Sequence, residues 1–412
     1  MKVVIINTFE TSGGAAIAAN RLMKALNKTG VDAKMLVKEK RSSDSCVYSV
    51  NTSWLKRKIN FYRFLWERLI IFFATGFDRK VLFQVSIANT GTDISQHPLI
   101  KEADIIHLHW INQGFLSFSG IKKLIATGKP IVWTLHDCWI IDNGIYHYPG
   151  SRESAKKLMI DLNKSVLKRK NDLGLSKVTF VGCSNWMANE AKKSVFLSGA
   201  KIFSIPNPID TDAFRSINKK EARSYLSLPQ DKYIFLFAAA KVSDKRKGLS
   251  HFINAYHILK KQLSLIEEKV EILIMGNLSH EDIKTYPFSV HTLGYISDKE
   301  TLSAVYSSAD LFVIPSLEYN LPNTIMESMA CGTPCIGFNT GGIPEMIDHK
   351  INGYVSQYKD AQDLADGIEW ILNHNENHAL SEACIKKVHD FYSENVIAKQ
   401  YIELYKQNAS SL

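Results

Sequence analysis

A chain of 412 residues exceeds one comfortable hydrophobic core and should divide into two domains. With 45% hydrophobic and 22% charged residues, no long low-complexity segment and no short-period repeat, the composition excludes a disordered, fibrous or solenoid protein. The formal net charge of +9 favours an anionic partner, whether nucleic acid, a phosphorylated substrate or a membrane surface, and no nucleic-acid motif supports the first.

The first element is a strand over residues 3–7, too short in its apolar run for a signal peptide. The six cysteines are scattered with no Cys-x-x-Cys pair, which fits a reducing compartment, so a cytoplasmic location is expected. Thr11-Ser-Gly-Gly-Ala-Ala16 follows, then a helix over 15–29 stopped by Gly30. Such glycines let another group approach the backbone, and a helix start offers amides to an anion, although a tight turn explains them equally. The loop is neither Gly-x-Gly-x-x-Gly nor a Gly-Lys-Ser/Thr P-loop, which counts against a nicotinamide dehydrogenase and a P-loop nucleotidase.

Strands over 31–37, 105–108, 131–135 and 178–183 continue the series and imply a parallel, doubly wound α/β sheet. Between the first two of these, residues 54–73 mix aromatic residues with Lys56, Arg57, Lys58, Arg63 and Arg68. The cations rule out a membrane-spanning helix. Rings and cations together suit the surface of an anionic membrane, and a core helix with an exposed basic edge is the alternative. His107, His109 and His136 close strands. His-x-His can hold a metal, or can form the polar end of a strand facing a cleft, and the spacing reveals no further ligand. Asp137 beside His136 suggests a hydrogen-bonding or acid/base role.

Pro206-Asn-Pro-Ile-Asp210 is rich in breakers and predicts the boundary between a first domain, 1–205, and a second, 206–385, with a helical segment over 386–412 packing back toward the first. Asp210-Thr-Asp212 has the pattern of metal-dependent sugar transferases, but at a linker it reads as turn and cap chemistry. A second strand series runs over 233–238, 270–275, 291–293, 311–314 and 334–338, with ligands expected beyond the carboxyl ends. Lys241 and Lys247 stand on the loop after its first strand, where two ammonium groups can neutralise a leaving diphosphate, unless the loop is simply solvated. From Pro315 to Gly332 the chain passes from a strand end through a tight loop to a helix starting near Asn323. The amides of that helix suit an anion and Glu327, one turn in, suits a polyol. A nucleotide sugar offers both.

Taken in order and interval, Ser12-Gly-Gly-Ala, Thr134-Leu-His-Asp, the segment from Ile205 to Phe214, Lys241 to Gly248, Leu293-Gly-Tyr-Ile296, Pro315 to Gly332 and Gly341-Gly-Ile-Pro-Glu345 resemble glycosyltransferase family 4 over nearly the whole chain. The resemblance is to a branch common in bacterial capsule, exopolysaccharide and O-antigen clusters. It implies the GT-B fold, two Rossmann-like domains facing across a cleft, and a retaining transfer from a UDP- or GDP-sugar. The acceptor it implies is a glycan or a polyprenyl-diphosphate-linked glycan, the place the cytoplasm or the inner face of the membrane, and no metal or other cofactor. A GT-B epimerase or phosphorylase, and a non-catalytic nucleotide-sugar-binding protein, are the competing readings.

By position, Glu327 corresponds to the second acid of the family's Glu-x7-Glu motif, on the ribose hydroxyls. Lys247 corresponds to the phosphate-binding lysine, and Lys241 stands where arginine is commonest. Amides near Asn320, Leu321, Asn323 and Thr324 would serve the donor sugar and phosphates, Gly13 and Gly14 the diphosphate from the other domain, His136 with Asp137 the sugar, and Gly294, Tyr295 and Ile296 the base. Eight positions before Glu327 stands Tyr319, not an acid, and Glu318 is one residue out of register. Either Glu318 takes over the donor-sugar contact or that contact is lost. Pro322 removes an amide that the commoner glycine would offer.

Overall fold

Near-continuous apolar runs such as Ile131-Val-Trp-Thr-Leu135, buried at every position, are what a strand covered on both faces requires. In the computed structural model, which describes residues 1–79, 81–142, 147, 157–262, 269–278, 286–375 and 378–409, they build one parallel sheet in each of two units. The first unit comprises Met1–Pro208 and Ile397–Leu412, the second Ile209–Val396.

The first sheet contains β1 (Lys2–Phe9), β2 (Asp32–Glu39), β3 (Val47–Ser49), β4 (Ile105–Leu108), β5 (Ile131–Leu135), β6 (Val178–Gly182) and β7 (Lys201–Ser204), in the order β3-β2-β1-β4-β5-β6-β7. Alternate residues of β1 face opposite cores: Val4 and Ile6 meet Leu108 and Trp133, while Val3 and Ile5 meet Leu22, Met23 and Leu26 of helix α1 (Gly14–Lys28). The last helix, Glu394–Ala409, joins that second layer through Ile397, Ala398, Tyr401, Leu404 and Tyr405. The return to the first unit therefore begins at Ile397 and not at 386. Residues 379–391 form a helix that buries Leu380, Cys384 and Val388 within the second unit, and Ile209 bridges Ser393 there.

The second sheet contains β8 (Tyr233–Lys241), β9 (Val270–Asn277), β10 (Val290–Gly294), β11 (Leu311–Ile314), β12 (Cys335–Phe338) and β13 (Gly353–Ser356), in the order β10-β9-β8-β11-β12-β13, all parallel.

Helix α2 (Trp54–Ala74), capped by the Ser53 side chain at the Lys56 amide, is inverted relative to an ordinary surface helix. Its buried positions are Asn60, Glu67, Arg68, Ile71 and Ala74. Glu67 Oε1 accepts from the amides of Ile87 (3.0 Å) and Ala88 (3.1 Å), and Arg68 pairs with Glu67 at 2.9 Å and donates to the Val85 carbonyl at 3.2 Å. Arg63 turns inward to Asn60 Oδ1 (3.1 Å) and Thr92 Oγ1 (3.2 Å). Outward stand Trp54 (72% exposed), Tyr62 (63%), Trp66 (57%) and Phe73 (53%), with Lys56, Arg57 and Lys58 exposed at the amino-terminal end. A core helix with a basic edge would show the opposite face to solvent. Among the described residues no helix is long and apolar enough to cross a membrane.

Candidate functional site

In the first unit the chain ends β1, β4 and β5 side by side, and the polar residues after those strands meet there. Asn7 Oδ1 accepts from the Trp110 amide at 2.8 Å while the Asn7 amide group donates to the Phe9 carbonyl at 2.7 Å. Thr8 Oγ1 donates to the carbonyls of Trp110 and Asn112, both at 3.0 Å. These bonds tie the loop after β4 to the end of β1.

The three histidines play two distinct parts. His107 is fully buried, with Nδ1 2.7 Å from the Tyr405 hydroxyl and Nε2 2.8 Å from Thr134 Oγ1, which also meets the Tyr401 hydroxyl at 2.9 Å. Burial pushes this imidazole down to about 3, so it is a neutral link between the sheet and the last helix. With both ring nitrogens taken by hydroxyls, His107 is not presented as a metal ligand, and no group of three His, Cys, Asp or Glu residues among those described could hold a metal.

His109 Nδ1 and His136 Nε2 lie 2.8 Å apart, with stacked rings. Burial drives His136 down to about 4 and His109 well below its ordinary value, so the pair is neutral and one ring donates to the other. Asp137 is occupied on both oxygens: Oδ2 accepts from Trp110 Nε1 (2.8 Å) and meets His147 Nδ1 (2.6 Å), and Oδ1 accepts from the Trp139 amide (3.0 Å). Burial would raise its pKa, but His147 and these donors outweigh burial and hold the carboxyl below its usual value. An ionised carboxylate so engaged orients its neighbours. A pocket lined by His109, Trp110, Asn112, Thr134, His136 and Asp137 opens here. Gly13 precedes α1 with φ +89°, a conformation that favours glycine, and Gly14 is the first helical residue.

In the second unit three loops interlock through glycines that tolerate no side chain. A Cβ on Gly248 (φ +72°) would lie 1.7 Å from the Pro315 carbonyl oxygen, and one on Gly341 (φ +57°) would lie 1.6 Å from that of Tyr319. The Leu317 amide donates to the Arg246 carbonyl and the Gly342 amide to the Asn320 carbonyl, each at 2.8 Å. This fixes Lys247, whose ammonium sits 3.8 Å from the centroid of the Tyr319 ring. Lys241 is exposed at the end of β8. Glu318 is partly exposed and, among the described residues, has neither a side-chain hydrogen bond nor an ion pair.

Lys157–Asn171 forms helix α3 in the first unit, and in the second helix α4 (Asn323–Ala330) begins at Pro322 with no side-chain cap. Asn320 and Leu321 are buried before it, and Asn323 and Thr324 are its half-buried first residues. Glu327 is 7% exposed, and its Oε2 accepts from the Tyr306 hydroxyl at 2.9 Å. Gly294 (φ +65°) ends the edge strand β10, followed by exposed Tyr295 and half-buried Ile296. Asp210 caps a turn at the Ala213 amide (3.1 Å) and pairs with Lys299 (2.7 Å), as linker chemistry predicts. The predicted residues thus fall into one set per unit. Trp110, His147 and Tyr306 carry no signal in the sequence, whereas His109 stands two residues from His107 in the His-x-His pattern.

A model of glycosyltransferase family 4 matches residues 12–213, and one of glycosyl transferases group 1 matches 218–388. The chain is 30% identical over 333 residues to an N-acetyl-alpha-D-glucosaminyl L-malate synthase of Bacillus anthracis, covering 78% of this chain and 79% of that one. It is 23% identical over 310 residues to the UDP-Gal:alpha-D-GlcNAc-diphosphoundecaprenol alpha-1,3-galactosyltransferase of Escherichia coli, covering 72% and 73%. The sucrose-phosphate synthase of Thermosynechococcus elongatus superposes with a TM-score of 0.69 over the whole of both chains at 18% identity, which shows a common fold. Two family models in sequence, a relative matched over most of its length and two Rossmann-like units place the chain among the GT-B enzymes: it is a glycosyltransferase of family 4.

Proposed function

We propose that the chain moves a sugar from a UDP- or GDP-sugar, with retention of configuration, to a glycan carried on polyprenyl diphosphate in the assembly of a bacterial surface polysaccharide. The observation that carries this reading is the convergence of Lys247 and the start of α4, with Glu327 held by Tyr306, in one unit. A cation and the amides at a helix start suit a diphosphate, and a fixed carboxylate suits ribose hydroxyls. The Escherichia coli relative, named for a UDP-sugar donor and a diphosphoundecaprenol acceptor, supports both substrate classes.

In this reading Lys241, Lys247 and the amides near Asn320, Leu321, Asn323 and Thr324 stabilise the charge that grows on the leaving diphosphate, and no resident metal is assigned. Gly13 and Gly14 are assigned to the diphosphate, and Gly294, Tyr295 and Ile296 to the base. The departing phosphate oxygen takes the acceptor proton on the same face of the sugar, which gives retention. Neutral His136, oriented by His109, aligns the sugar, and Asp137 holds Trp110 and His147 around it.

The inverted face of α2 suits the acceptor's setting. Exposed rings beside Lys56, Arg57 and Lys58 fit the headgroup boundary of an anionic membrane, where a polyprenyl carrier resides. A panel of UDP-, GDP- and ADP-sugars tests the reading by thermal shift, followed by incubation of the stabilising donor with a polyprenyl-diphosphate-linked sugar. Stabilisation by a UDP- or GDP-sugar and donor consumption that needs the acceptor are expected. Donor consumption without acceptor would favour an epimerase, and binding without turnover an inert binding protein.

A further inference from the structure

We infer that Tyr319 is a positioning residue, holding the Lys247 ammonium on its ring face without cancelling the charge that a leaving diphosphate needs. The inference rests on the reading of Lys247 as the leaving-group cation and adds a residue to which that reading gives no role.

A lysine ammonium ends a flexible four-carbon stem, and fixing it for a transition state costs conformational entropy. Lys247 has its ammonium 3.8 Å from the Tyr319 ring centroid, well inside the range in which a ring quadrupole attracts a cation. No carboxylate lies within ion-pair distance of it among the described residues. A carboxylate at that distance would offset most of the positive charge, whereas an uncharged ring does not; the carboxylate that Lys247 acts on from farther off, Asp244, is paired with Arg246. Both partners are anchored by backbone: Lys247 donates its amide to the Asp244 carbonyl at 2.9 Å, and the Tyr319 carbonyl is pressed against Gly341. The Tyr319 hydroxyl makes no hydrogen bond among the described residues, so the ring and not the hydroxyl does the holding. This gives a physical role to the residue that stands where the family's acid is expected.

The test uses the full chain and calorimetric titration with UDP and UMP, or GDP and GMP if the wild type prefers guanine. The diphosphate carries the terminal phosphate that leaves, and the monophosphate lacks it. Tyr319→Leu should weaken diphosphate binding about tenfold and leave monophosphate binding within about twofold. Tyr319→Phe should retain diphosphate affinity within about threefold. Lys247→Ala should show the same selective loss, and the double variant Lys247→Ala/Tyr319→Leu no further loss, since the ring acts only through the ammonium. Thermal unfolding, with Tyr319→Gln as a second variant, checks folding.

If Lys247→Ala weakens the diphosphate selectively and Tyr319→Leu and Tyr319→Gln do not, the inference is overturned and the role of Lys247 stands. Equal loss of both nucleotides in the Tyr319 variants, an additive double variant, or a Tyr319→Phe as weak as Tyr319→Leu also overturns it. If Lys247→Ala binds the diphosphate normally, or the wild type binds neither diphosphate, the reading of Lys247 falls first and the inference with it.

Discussion

The Tyr306 hydroxyl donates a 2.9 Å hydrogen bond to Glu327 Oε2 in a buried setting, and so fixes the carboxylate assigned to the donor ribose. Tyr306→Phe removes that donor, which at a buried acceptor costs about 1–3 kcal/mol. We expect lower stability in urea and weaker donor binding, with Glu327→Ala weakening binding further while changing turnover at saturation less, because ribose contacts form in ground and transition states alike. Unchanged donor affinity in Glu327→Ala would place the ribose elsewhere.

Glu318 and Tyr319 should differ sharply. Glu318, partly exposed with its carboxylate unengaged among the described residues, is available to the donor sugar, so Glu318→Gln should lower turnover by about tenfold or more, while Tyr319→Phe keeps most of it. Turnover assays that rank the two variants the other way would show that the acid contact is lost and that the tyrosine hydroxyl has replaced it.

Stability should fall on acidification well before the carboxylates protonate. His107 and His109 are buried and His136 half-buried, all three neutral, with His107 near 3, His136 near 4 and His109 lowered, so the unfolded chain binds protons below about 6.5 that the folded chain refuses. Each such histidine contributes stability that is present above pH 6.5 and is lost at up to about 1.4 kcal/mol per pH unit as pH falls toward its folded value. Urea titrations at pH 7.5, 5.5 and 4.5 should show this decline, and His107→Gln should flatten it. A flat profile in the wild type would contradict burial in the neutral form. Asp137, with its pKa held below the usual carboxylate value, loses its contribution only at lower pH.

The outward face of α2 should bind vesicles that contain anionic lipid. Co-sedimentation should weaken with salt, fall when Lys56, Arg57 and Lys58 are changed to Gln, and fall again in Trp54→Ser/Trp66→Ser. Arg63, turned inward, should matter to stability and not to this binding. No sedimentation at any salt concentration would favour a water-soluble acceptor.

The chain displays its second unit's chemistry openly because glycines, lysines and an acid sit at fixed intervals on strand ends, where a doubly wound sheet collects ligands. Strands β1, β5 and β11 are equally readable, since each carries at least three consecutive apolar residues. The edge strands β3, β7 and β13, Val-Tyr-Ser, Lys-Ile-Phe-Ser and Gly-Tyr-Val-Ser, carry no such run. What could not be read is pairing across long separations: Tyr405 lies 298 residues from His107, and Tyr306 lies 21 residues before Glu327 with no motif to link them. The inversion of α2 was hidden for a different reason. Periodicity says that a helix has two faces, but only the hydrogen bonds of Glu67 and Arg68 say which one is buried.

The central claim is that donor cleavage serves transfer and that Lys247 carries leaving-group charge. Release of nucleoside diphosphate, followed with the stabilising nucleotide sugar in the presence and absence of a polyprenyl-diphosphate-linked acceptor, tests it most directly when the anomeric configuration of the product is read by NMR. The account predicts acceptor-dependent release, a product with the donor's configuration, and a loss of about 10²–10³ in turnover for a folded Lys247→Ala. Inverted product, or full turnover in that variant, would contradict it.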